Sequence, residues 1–358
     1  MSDTTAPTLP GRLGNPSMQL KDDPRADPRM VAAMAPFGLD VEPAASGVSW
    51  DSPVDALHEY IDTAEPGFEG LFGALSANLK ALEGVTRSVE VITGLDGNDV
   101  TLFIHRPTAS TGPLPGILHL HGGGMTMLEA AGAGYQRWRD ELAIAGLVVV
   151  GVEFRNASGK HGPYPFPAGL NDCTAALQWT HDHAERLGIS KIVVSGESGG
   201  GNLTLATTLK AKQDGRLGQI AEVYAQCPYI ANVWEAPVPE LPSLVENNGY
   251  FLDCSMLSVI ARLYDPGLDH ARNPLAWPYH ARGEDLQGLP PHVISVNQLD
   301  PLRDEGLAFA RKLLDAGVST VSRTVNGTCH AGDCIFRDAL ADVYAATIRD
   351  IKGFAGSL

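Results

Sequence analysis

Lysine is scarce in this chain: of 358 residues only 8 are Lys, against 18 Arg. Together these 26 bases face 42 acids, a formal net charge of −16. So acidic a surface repels phosphate, which argues against nucleic acid or an anionic membrane as a partner. Cysteine is sparse too, and odd in number. Cys173, Cys227, Cys254, Cys329 and Cys334 show no CxxC spacing, so buried reduced thiols are expected rather than a disulfide framework or structural zinc. No apolar run approaches the length that crosses a bilayer. The first thirty residues lack the basic start and continuous apolar core of a secretory signal, which predicts a cytoplasmic protein. No internal repeat is visible.

What is present suits a globular chain: 44% hydrophobic and 19% charged residues. Residues 1 to about 26, rich in Pro, Gly, Asp and Thr without a period, read as a flexible or wrapped arm. DPRMVAAMAPFG predicts a helix capped by Asp27, with Met30, Val31, Met34 and Phe37 on one side and Gly38 at its end. PVDALHEYIDTA predicts another. RSVEVITG and VTLFIHRP then form a hairpin across Asp96 and Gly97. GILHLHGGG, LVVVGVEFR, KIVVSGES, AEVYAQCPY, HVISVNQLD and STVSRTVNG follow as apolar strands alternating with helices. Eight strands in this rhythm mean an α/β protein with a mostly parallel sheet flanked by helices on both faces. Residues 230–274 interrupt it with more chain than a crossover needs, carrying Trp234, Phe251, Met256 and Leu257, and read as a cap insertion. The expected organisation is an arm and cap helices over 1–62, a catalytic domain over 63–229 and 275–358, and the insertion between its halves.

The stretch VVSGESGGGNL, residues 193–203, sits between a strand and a helix, where phosphate loops also sit. A phosphate loop needs Lys then Ser or Thr after its second glycine; Asn202 and Leu203 stand there instead. The dinucleotide pattern GxGxxG fails as well, because Ser198 occupies the place of its second glycine. The residues do satisfy GxSxG, in which Gly196 and Gly200 leave room for a strained nucleophile, Ser198. By itself the pattern also suits a glycine-rich turn with a capping serine, so its meaning depends on partners.

One partner is HLHGGGM, residues 119–125, at the end of a core strand, where the glycines free N–H groups to converge on an oxyanion. His119 and His121 form an HxH pair on one face of that strand, which leaves a metal hydrolase as an alternative. His181 and His183 lie two apart in a helix and read as surface residues. For the acid, Asp300 follows an apolar strand, whereas Asp304 and Glu305 fall in the first turn of a helix. For the base, His330 lies past the last strand, between Gly327 and Gly332. Ser198, Asp300 and His330 fall in the α/β-hydrolase order.

With those residues in hand, the chain from about Asp27 to its end resembles the bacterial hormone-sensitive-lipase-like carboxylesterases. The likeness rests on HGGG at 121–124, GESGG at 196–200, FRNASGKHGPYPFPAGLND, DPLRDEG from Asp300, and His330. The extension to GESGGGN is most similar to the brefeldin A esterase subgroup. The family's usual GDSAG is changed at Glu197 and Gly199, and its usual HGF after the histidine reads HAG here. The resemblance implies an α/β-hydrolase fold with a helical cap and a carboxylesterase acting through an acyl-enzyme on soluble short or compact esters. In it Ser198, Asp300 and His330 form the triad, and the N–H groups of Gly123, Gly124 and Gly199 form the oxyanion hole. His121 and Gly122 shape that loop. No cofactor or metal is implied; the partner is a small-molecule ester, and a homodimer is the oligomeric form considered. An amidase or peptidase with the same triad, and a ligand-binding member of the fold, stay open. Glu197 has no role in this reading.

Overall fold

The computed structural model describes residues 9–110 and 112–357. Eight strands form one sheet: β1 (Val85–Thr93), β2 (Asp99–Pro107), β3 (Leu114–Leu120), β4 (Val148–Glu153), β5 (Ile189–Glu197), β6 (Glu222–Gln226), β7 (His292–Asn297) and β8 (Thr320–Val325). Their spatial order is β1-β2-β4-β3-β5-β6-β7-β8. β2 runs antiparallel to both neighbours and every other pairing is parallel. The α/β sheet anticipated from the apolar runs is therefore present, with all eight expected strands.

Alternation along the strands divides the core. Ile117, Val149, Val193 and Val293 face helices Ala133–Ile144 and Ala341–Ala355 through Trp138, Leu142 and Ile351. Leu118, Val150, Val194 and Ile294 face the other way, in one core with Leu177, Leu203 and Phe309 of helices Ala168–Asp182, Gly199–Gln213 and Arg303–Asp315. Burying both faces is what makes these strands continuous apolar runs. The five cysteines are buried and unpaired.

The N-terminal part departs from expectation in detail. Residues 1–8 of the expected arm lie outside the described residues. From residue 9 the arm is wrapped onto the molecule: Leu20 is wholly buried, and Arg12 bonds both Glu42 and the Asn248 carbonyl. Helix Pro28–Met34 is capped by the Asp27 carboxylate, worth about 1 kcal/mol, and buries Met30 and Met34. Phe37 is exposed instead, because the chain tightens into a 3-10 turn at Ala35–Phe37 and stops at Gly38 with φ 68°. The second helix runs on to Ser76, through Pro66, so the boundary drawn at residue 62 falls inside it. His183 ends helix Ala168–Asp182 and a further turn, Ala184–Leu187, follows.

In the insertion, Asp253 caps helix Cys254–Tyr264, which packs against helix Val54–Ser76. Phe251 meets Phe68 edge-on, with ring centroids 6.4 Å apart. Trp234 belongs to the sheet's side of the structure, stacked on Tyr229 at 4.0 Å. Among the described residues no helix is long and apolar enough to cross a membrane.

Candidate active site

The glycines around Ser198 are dictated by contact. β5 ends at Glu197, a helix begins at Gly199, and Ser198 between them has φ 58° and ψ −119°. That conformation costs a residue with a side chain about 1–3 kcal/mol, so it persists only where the surroundings impose it. The Ser198 N–H donates to the Gln226 carbonyl at 2.9 Å. A Cβ on Gly196 would lie 2.3 Å from the Leu120 carbonyl oxygen, and one on Gly200 only 1.9 Å from it. Asn202, standing where a phosphate loop has lysine, donates its amide to the carbonyls of Tyr229 and Ala276 at 2.9 Å each. It fastens the start of the helix to the chain beyond β6.

The loop leaving β3 has left-handed backbone at Gly123 (φ 103°), Gly124 (63°), Met125 (59°) and Leu128 (73°). It approaches the Ser198 turn so closely that a Cβ on Gly199 would lie 2.6 Å from the backbone nitrogens of Gly124 and Met125. Its own N–H groups are tied down by carboxylates. Glu197 accepts from Gly122 at 2.8 Å, Glu65 from Leu128 at 2.6 Å, and Glu153 from Ala130 and Ala131 at 2.8 and 3.0 Å. Asn156 donates to the Leu128 carbonyl at 2.7 Å. None of these anchors was expected. Glu65 alone left a trace in the sequence, as a carboxylate continuing the four-residue stripe of Leu57 and Ile61.

The HxH pair is divided between two of these acids. His119 Nε2 faces Glu197 Oε2 at 3.2 Å, while His121 Nε2 is 3.7 Å from Glu153 Oε1. His121 also stacks on Phe154 at 4.1 Å, and its Nδ1 lies 2.7 Å from the Gly122 carbonyl. Burial pushes its pKa down to about 3, which leaves the ring neutral. Among the described residues the one group of three metal-type ligand atoms lying within 4.8 Å of one another is Cys227, Asp300 and His330, which does not include the HxH pair. His181 is exposed; His183 is half-buried and stacked on Trp179 at 4.4 Å rather than lying on the surface.

Opposite this loop, Asp300 is wholly buried and its Oδ2 is 2.8 Å from His330 Nδ1. Its Oδ1 accepts the Leu302 N–H at 2.9 Å. The neighbouring acids point elsewhere. Asp304 accepts the Ser243 N–H at 2.7 Å, and Glu305 accepts the Ile230 N–H at 2.6 Å and the Trp234 indole N–H at 3.1 Å. Burial pushes the Glu305 carboxyl well above the usual range. The His330 loop is gripped by Asn297, which donates to Thr328 and Asp333 and accepts the Ala331 N–H. The arm closes over it: Asp27 N–H donates to the Gly327 carbonyl at 2.9 Å, and Cys329 N–H to the Met30 sulfur at 3.3 Å.

Ser198, His330 and Gly122 to Gly124 border one cavity of about 280 Å³. Its outer wall is apolar and comes from two distant segments, Phe68 and Phe72 of the long helix and Phe251, Leu257 and Ile260 of the insertion.

A model of the alpha/beta hydrolase fold matches residues 117–332, more than half of the chain. The chain belongs to the α/β-hydrolase family. Over 98% of its length and 98% of the other chain's it is similar to brefeldin A esterase, described as a bacterial homologue of human hormone-sensitive lipase, with 46% identity and a TM-score of 0.93. It is 32% identical over 243 residues to carboxylesterase NlhH of Mycobacterium tuberculosis, covering 65% of this chain and 71% of that one. It is 38% identical over 189 residues to an arylesterase of Saccharolobus solfataricus, covering 51% and 57%. The branch of the family is thus the one suggested by HGGG and GESGG, the esterases related to hormone-sensitive lipase.

Proposed function

We propose that the chain hydrolyses carboxylic esters through an acyl-enzyme formed on Ser198. The observation that carries the reading is that His330, paired with the buried Asp300, borders the same cavity as Ser198 and the glycines of the HGGG loop. The names of the relatives, carboxylesterase and arylesterase, point to the same chemistry.

With Nδ1 engaged by Asp300, His330 has Nε2 to take the Ser198 proton as Oγ bonds to the ester carbonyl carbon. Asp300 orients the ring and stabilises it when charged. The carbonyl oxygen, now an oxyanion, is received by the N–H groups of Gly123, Gly124 and Gly199, each worth about 3 kcal/mol in such a role. The C–O bond to the alcohol then breaks, the alcohol leaves with the proton from His330, and a water deprotonated by His330 releases the acid. The cap comprises the N-terminal helices and residues 230–274, and a boundary between Ser76 and Val85 leaves each element whole. A cavity of about 280 Å³ under apolar rings suits soluble short or compact esters. The proposal keeps the cytoplasm as location and a homodimer as oligomeric form; fractionation and light scattering test these.

Replacing Ser198 by Ala should abolish p-nitrophenyl ester turnover and labelling by an organophosphate while circular dichroism stays unchanged. Labelling that persists at another residue overturns the assignment.

A further inference from the structure

Glu197 is buried, sits beside the nucleophile, and takes no part in the steps above. β3 lies between β4 and β5 in the sheet, and the last residue of each neighbour is a glutamate, Glu153 and Glu197. The loop leaving β3 thus emerges between two carboxylates. Glu153 takes the N–H groups of Ala130 and Ala131, and Glu65 takes that of Leu128, all at the far end of the loop. Of the three, only Glu197 accepts a backbone N–H at the near end. One of its oxygens holds the Gly122 N–H at 2.8 Å and the other faces His119 Nε2 at 3.2 Å. Only the two soft torsions of Gly122 separate that anchored amide from the next, which carries the Gly123 N–H. Gly122 has little room to turn otherwise, since its Cβ position is 3.1 Å from the Tyr135 hydroxyl.

We propose that Glu197 is a positioning residue for the oxyanion donors: a single side chain, one residue from Ser198, that sets the angle and distance of Gly123 and Gly124 relative to the nucleophile. His119 holds the second oxygen and keeps the carboxylate from rotating away. The glycine-rich backbone cannot do this for itself, because Gly123 and Gly124 reach φ < 0 about as readily as the 103° and 63° they adopt, so a contact from outside must select the conformation. A charged acceptor is also about twice as strong as a neutral one for a backbone N–H, so a carboxylate holds Gly122 more firmly than an amide does.

The inference rests on the ester-hydrolase reading, and its test separates the two. Active sites are titrated with an organophosphate, then kcat and KM are measured per titrated site, with the affinity for a trifluoromethyl ketone whose hydrated adduct occupies the oxyanion hole. Glu197→Ala should lower kcat about 100-fold, the scale of losing one oxyanion donor, with KM within about threefold and ketone affinity falling in parallel. Glu197→Gln, which keeps an acceptor for Gly122, should recover at least about a tenfold share of that loss. Should the alanine variant fail to fold, Glu197→Asp serves: one methylene shorter, it withdraws from Gly122 and should lose kcat and ketone affinity together. A fall in Tm with kcat per titrated site and ketone affinity both unchanged overturns the proposal. Absence of any organophosphate label at Ser198 in the unaltered enzyme overturns instead the reading on which it rests.

Discussion

The loop after β3 and the loop after β8 border the same cavity, yet they are held by different means. The first is anchored by Glu153 and Glu197, which end the two strands flanking its own and are in place once the sheet forms, and by Glu65 of the long helix. The second, with His330, is gripped by Asn297 at the end of neighbouring β7 and is further covered by partners remote in sequence. Met30 lies 299 positions from Cys329, and Glu246 of the insertion is bonded to both Arg25 of the arm and Arg303 beside Asp300. Remote contacts carry a larger loop-closure cost and open more readily than those between adjacent strands. The cavity wall beside Ser198 therefore rests mainly on the ends of neighbouring strands, while the wall at His330 adds to its strand-end anchor the docking of arm and insertion.

The severest way to break the comparison is Gly200→Ala, which forces a Cβ to 1.9 Å from the Leu120 carbonyl where β3 and the Ser198 turn meet. Loss of turnover above about 10⁴-fold, or no folded protein, is expected; it would be read by ester hydrolysis and circular dichroism. Next, Asp300→Asn should cost about 10⁴-fold in kcat, as when the orienting acid of a triad is neutralised. Asp304→Asn, whose carboxylate serves Ser243 and Arg303, should stay within about tenfold, and a reversal of the pair would move the acid's role to Asp304.

Met30→Ala acts on one side only. It should destabilise the protein by about 2–5 kcal/mol as a buried Met is truncated. Hydrogen exchange should quicken in residues 327–332 and not in 122–126; equal quickening of both would erase the distinction drawn above.

The mildest effect is acid release of the arm. Burial raises the Asp23 and Glu246 carboxyls, but hydrogen bonds from Arg25, and for Glu246 from Arg303 also, outweigh it and hold both below the usual range. A folded-state pKa below the unfolded value stabilises above the unfolded pKa, about 4 for carboxylates, and the contribution is lost as pH falls through the folded pKa. Between pH 6 and pH 3, amide hydrogen exchange, divided by its intrinsic rate at each pH, should therefore quicken in residues 9–38 before the sheet unfolds. Arg25→Met should raise that exchange at pH 6 and flatten the dependence.

Much of this was legible because the chemistry demanded local backbone features. A serine held at φ 58° needs glycine on either side, and a loop with several left-handed residues needs a glycine run, so the GxSxG and HGGG stretches stood out. Asp300 could be preferred to Asp304 because strand ends and helix starts differ in pattern, and the structure brings Asp300 against His330. The anchoring acids could not be read this way. Glu197 and Glu153 look like ordinary strand-end residues until the order of β4, β3 and β5 sets them on either side of one loop. Phe37 was misplaced because an apolar period continues past the point where the backbone tightens into a 3-10 turn.

The class of sheet and the places of the Ser198 turn, the glycine loop, Asp300 and His330 along the chain could be read from the sequence, since each follows from periodicity or backbone sterics over a few residues. Only the tertiary structure decided what holds those pieces in register: that Glu197 grips Gly122, that Glu65 crosses from the N-terminal helix to Leu128, and that Met30 caps the His330 loop. Those contacts join residues 63 to 299 positions apart. No local pattern encodes them, because a buried carboxylate or sulfur finds its partner only after strands far apart in the chain have been laid side by side.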